Sequence, residues 1–169
     1  MNASFATPAN AGILGYLKLK ANSPGAVSAA RSIESCSPES VEDAYYSLGT
    51  HPDLLSWFWD ELTTKLPDSC QWVVHGSPVL AHPESGIIFG FAGGTHTYAL
   101  RLPPATRDAA LKAGCKRIWN YPALPELGIA ASLLKLDEIG EEWVFGEWHE
   151  TEKEWCLAAY EFAALPQQR

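Results

Sequence analysis

Apolar and polar positions alternate with two different periods along this chain, and the change of period divides it. Between residues 53 and 66, Leu54, Leu55, Phe58, Trp59, Leu62 and Leu66 recur at helical spacing, which predicts a helix that buries one face. Thr50-His51-Pro52-Asp53 supplies its start, a capping hydroxyl with an acid three residues on, and Pro67 its end. Trp57 falls off the apolar face, on the side of Asp53 and Asp60, and is the tryptophan expected at the surface. From residue 70 to 102 the period drops to two. Ile87, Phe89 and Phe91 alternate with Ile88, Gly90 and Ala92, and Tyr98, Leu100 and Leu102 alternate with Thr97, Ala99 and Arg101. That is the mark of strands with one buried face. Gly93-Gly94 reads as a two-residue hairpin and Pro83-Glu84-Ser85-Gly86 as a four-residue one. With Gln71 to His75 in front, the segment is an antiparallel meander of three or four strands.

The flanks read as helices. Ser23-Pro24 opens a short helix to about Ser35, and Ser37-Pro38-Glu39 opens another that stops at Gly49. Ile13 to Leu19 fits either a short strand or a helix, and residues 1–12 are expected to be loose. Pro104 and Gly114 bracket a helix over Ala105 to Ala113. Further strands are expected near 117–121 and 143–148. The closing helix starts at the capping box Thr151-Glu152-Lys153-Glu154, turns Trp155, Ala159 and Phe162 to one side, and stops at Pro166. Helices before and after a meander predict the α+β class, with the helices on one face of the sheet. All 169 residues form one domain in this reading, with the core at roughly 37–165.

Composition narrows the function classes. The chain is 47% hydrophobic, contains no apolar run of membrane-spanning length, and lacks the charged start of a secretory signal. A cytoplasmic location is therefore expected, with Cys36, Cys70, Cys115 and Cys156 as reduced thiols, since no two of them form a C-x-x-C pair. The net charge is −8, and eight carboxylates lie between Asp137 and Glu154 against the single Lys153. Nucleic-acid binding needs a basic footprint, and an anionic membrane repels such a field, so neither is an expected partner. Seven tryptophans are an unusual share, and aromatics of this size are concentrated in cores and at contact surfaces.

The turn His75-Gly76-Ser77-Pro78, the hairpin strand Ile87-Ile88-Phe89-Gly90-Phe91-Ala92 and the run Tyr98-Ala99-Leu100-Arg101-Leu102-Pro103 resemble a group of small bacterial α+β proteins. These are the TfoX N-terminal-like, YjbR-like and YdhG-like families. Gly114 and the closing helix fit the same outline, over residues 70–165 only. The resemblance implies the fold and carries over no catalytic residue.

Candidate chemistry is sparse. His75, His82 and His96 lie in or beside the meander, and imidazole is the commonest transition-metal ligand. The hairpin registers expected from the turns pair His82 with Ile87, Leu80 with Phe89, Phe91 with His96, Phe89 with Tyr98, and Ile87 with Leu100. Leu80, Phe89 and Tyr98 then form a buried row, while His82 and His96 lie on the order of 16 Å apart. Zinc–nitrogen bonds are about 2 Å, so those two histidines cannot share an ion. Only His75 with His96 is left as a pair, on condition that the Gly76-Ser77 kink brings them together, and no metal or cofactor is expected. No G-x-S-x-G elbow is present, Cys115 sits at the wrong end of a helix dipole for activation, and Gly90 to Thr95 lacks the lysine and spacing of a phosphate loop. Catalytic residues cannot be named.

The leading expectation is a noncatalytic accessory domain that binds a protein or small ligand through an acidic, tryptophan-containing surface, with Trp57, Trp143 and Trp148 as its aromatic candidates. An enzyme of unidentified reaction is the first alternative, with its pocket at the open end of the meander near His75, Phe91 and His96. An oligomerising structural protein, its spare tryptophans buried between copies, is the second.

Overall fold

A computed structural model of the chain describes residues 5, 7–21, 35–40, 50–67, 70–93, 97–117, 142–147 and 153–165. Four helices lie within them: α1 (Ala11–Ala21), α2 (Pro52–Ser56, continued by a π turn over Trp57–Glu61), α3 (Pro104–Lys112) and α4 (Lys153–Ala164). The strands are β1 (Ser35–Cys36), β2 (Gln71–Val74), β3 (Ser77–Ala81), β4 (Ile88–Gly93), β5 (Thr97–Arg101), β6 (Lys116–Arg117) and β7 (Trp143–Glu147). They form one sheet in the order β1-β2-β3-β4-β5-β7-β6 with every neighbouring pair antiparallel. The class is α+β as expected. Five longer strands make the body of the sheet, and the two-residue strands β1 and β6 cover part of each edge. Of the helices expected over 24–35 and 39–48, the residues 22–34 and 41–49 lie outside the described residues, as do 118–121.

Helices pack on both faces of the sheet, which corrects the one-face expectation. On one face Ile13, Tyr16 and Leu17 of α1 lie against Val74, Val79, Ala81, Ile88, Phe91, Ala99, Trp143 and Phe145. On the other, Val73, Leu80, Phe89, Ala92, Tyr98, Leu100 and Val144 meet Leu54, Leu55, Phe58, Trp59 and Leu62 from the α2 segment and Cys156, Ala159 and Ala163 from α4. Ile13 to Leu19 is therefore helical. The expectation that residues 1–12 are loose is corrected for residues 8–12, because Pro8–Asn10 form a 3-10 turn, Asn10 is buried and α1 begins at Ala11, while residues 1–4 and 6 lie outside the described residues. The buried side of α4 runs through Cys156, Ala159 and Ala163, about one position round the helix from the expected Trp155–Ala159–Phe162 face, and Trp155 packs only at its margin.

Strand register follows packing more closely than turn chemistry. The Pro83–Gly86 loop is as read: His82 N–H donates to Ile87 C=O at 3.0 Å, and Gly86 N–H to His82 C=O at 3.0 Å. One step further, Ala81 pairs with Ile88 but Leu80 pairs with Gly90, which leaves Phe89 as an extra residue. Such a bulge breaks the period-two rule. It sends Phe89 to the α2–α4 face and Phe91 to the α1 face, where strict alternation puts both on one side. Leu80, Phe89 and Tyr98 still share a face.

Between β4 and β5 the observed pairs are Gly90–Leu100, Phe91–Ala99, Ala92–Tyr98 and Gly93–Thr97. Gly93 thus belongs to the ladder, and the expected pairs Phe91–His96, Phe89–Tyr98 and Ile87–Leu100 are shifted. The observed register places Tyr98 between Ala92 on β4 and Gly146 on β7. Two small neighbours make room for its ring on a face buried by helices, where the expected register sets it against Phe89.

Candidate functional site

The segment that begins with α2 carries a half-buried Trp57 among the exposed carboxylates Asp53, Asp60 and Glu61. His51, not Thr50, caps it: the His51 Nδ1 accepts the Asp53 N–H at 3.1 Å, and Pro52 takes the first helical position, where no N–H is needed. The Thr50 hydroxyl is buried with no partner among the described residues. At Trp57 the helix widens, and Leu62 N–H donates to Trp57 C=O at 2.8 Å, a five-residue step. The Trp59 carbonyl accepts the Thr63 hydroxyl and the Gln71 side-chain amide, both at 2.7 Å. Phe58 and Trp59 enter the core, with Trp59 Nε1 donating to Val79 C=O at 3.3 Å.

Trp57 is half-buried, its ring edge-on to Tyr98 with centroids 5.5 Å apart. This corrects the reading of Trp57 as an exposed residue. Asp53, Asp60 and Glu61 are exposed and stand three or four positions from it, near neighbours on a helical surface. Ser56 Oγ donates to Asp60 Oδ2 at 3.4 Å. Single π turns recur at functional sites. A partly covered indole flanked by three carboxylates suits a cationic side chain, since ring and carboxylates both attract positive charge.

The second expected site does not assemble from its described members. His75 (φ 49°) and Gly76 (φ 79°) form the two-residue turn between Val74 and Ser77. Positive φ at both positions is what a primed hairpin turn requires, so backbone geometry accounts for the placement of this half-buried histidine. Phe91 is buried under α1, with ring centroids 5.5 Å from Tyr16 and 5.6 Å from Trp143. Phe91 pairs with Val79, four residues along the chain from His75, about 13 Å in strand rise. His96 lies outside the described residues.

The other described histidines also hold backbone. His82 Nδ1 accepts the N–H groups of Glu84 at 3.1 Å and Ser85 at 3.2 Å, and its ring lies 4.7 Å from that of Tyr160. Like His51 it precedes a proline and imitates the capping that Asn or Asp gives. Among the described residues no three His, Cys, Asp or Glu side chains group to hold a metal ion.

Trp143 is the inward anchor of its strand, 2% exposed on the α1 face, so it is withdrawn from any surface. Its neighbour Val144 enters the opposite core, so both faces of β7 are covered. Trp148 and most of the acidic run lie outside the described residues.

Arg101 is the described charge that pattern reading missed. It is 4% exposed, with its guanidinium carbon 4.4 Å over the Phe162 ring and Nη2 3.9 Å from Glu142 Oε2. Burial weakens its hold on the proton, the Glu142 carboxylate opposes that, and Arg107 adds to it. The available signal was a single Arg with no other Lys, Arg, Asp or Glu between Ile87 and Thr106.

All four cysteines are free thiols. Burial pushes the Cys156 thiol up, with the neighbouring charge of Cys70 adding to it, and burial raises Cys36 too. Thiols held protonated are poor nucleophiles. Cys115 Sγ lies 3.8 Å from the Tyr98 hydroxyl. Among the described residues no helix is long and apolar enough to cross a membrane. No family model matches the chain, and neither a curated protein nor a solved structure matches it.

Proposed function

We propose that the chain is a noncatalytic domain that binds a basic protein partner, and that the Trp57 face of the α2 segment is part of its acidic, tryptophan-containing surface. The observation that carries this reading is the position of Trp57, half-buried against Tyr98 between the exposed Asp53, Asp60 and Glu61. Aromatic anchors inside a charged rim are the usual anatomy of an interface. The enzyme alternative depended on a pocket shared by His75, Phe91 and His96, and Phe91 is covered by α1. Free thiols fit a reducing compartment, and the cytoplasm is the proposed location. Kinship with the TfoX N-terminal-like group is likewise proposed, on the turn at His75 and the strands that follow it.

The test uses a paired substitution, Asp60→Asn with Glu61→Gln, on exposed sites where the fold is insensitive. Native and substituted proteins are immobilised and exposed to the same cell extract at several salt concentrations. A basic partner retained by the native protein should associate more slowly with the variant and with weaker salt dependence, because rim charges act mainly on encounter rates. Identical partners with identical salt dependence reject this surface as the binding site.

A further inference from the structure

We draw no further inference here: the strongest candidate, the guanidinium cluster of Arg101 and Arg107 where β5 leads into α3, is engaged by the Glu142 carboxylate, the Phe162 ring and the Leu102 carbonyl, and nothing in the structure shows what else it would hold.

Discussion

The side-chain amide of Asn10 completes the hydrogen bonding of Ile88, a residue 78 positions away, by accepting its N–H on Oδ1 at 2.9 Å. The same amide donates from Nδ2 to Gly86 C=O at 2.8 Å and to Phe5 C=O at 3.0 Å. The pairing of β4 with β5 begins only at Gly90, so the Ile88 N–H needs this acceptor. A buried peptide group without a partner is costly, and Asn10 supplies what a neighbouring strand otherwise gives. Asn10→Ala should therefore lower the unfolding free energy by about 3 kcal/mol, the cost of leaving two or three buried groups unpaired. A loss below about 1 kcal/mol in denaturant unfolding, ordinary for a loose terminus, rejects this role.

Phe89 is fully buried beside Leu80 on the α2–α4 face, its ring edge-on to Tyr160 at 5.9 Å. Phe89→Ala should cost about 3–5 kcal/mol, since the bulge fixes the side chain in a core that cannot fully close over the cavity. A surface-sized effect in the same measurement places Phe89 elsewhere.

Gly146 faces Tyr98 across the β5–β7 ladder. A Cβ built on it meets Cys115 Sγ at 2.9 Å and Tyr98 Oη at 3.0 Å. Gly146→Ala should destabilise by about 1–3 kcal/mol, the range for overpacking a filled core. Adding Cys115→Ala should recover part of that loss, giving a non-zero coupling in a double-mutant cycle. Strict additivity of the two changes rules out the close approach.

The Lys65 ammonium hydrogen-bonds the Glu154 carboxylate at 2.6 Å and holds that carboxyl below the usual carboxylate range. The folded-state value is depressed, so the pair stabilises above the ordinary glutamate range, and the contribution disappears as pH falls through the lowered value. Both side chains are largely exposed, at 44% and 66%, so salt should screen the effect. Glu154→Gln should lower the thermal midpoint slightly at neutral pH and low salt, and leave it unchanged in acid or at high salt. A difference that persists at 1 M salt contradicts this account.

Much of the local chemistry was readable where a few adjacent residues decide it, although the cap fell to His51 instead of Thr50 and Gly93 to the ladder instead of the turn. The apolar stripe Leu54–Leu62 is buried where the spacing put it, Pro83–Gly86 is the loop between β3 and β4, and Pro104 begins α3. Caps, turns and periodicity act within a few residues, and so they are written in order. Trp57 was likewise picked out by its place off that stripe, although its contact with Tyr98 was not.

What required the tertiary structure was every feature set by partners distant in sequence. Tyr98 takes its register from the room beside Ala92 and Gly146. Phe91 is turned toward α1 by a bulge, and Arg101 is buried against Phe162 of α4. Period-two alternation states that a strand has two faces, but not whether a second helix covers the outer one, and here α1 does. Burial on both faces makes inward and outward equally apolar, so the pattern loses the contrast that fixes register, and packing decides it.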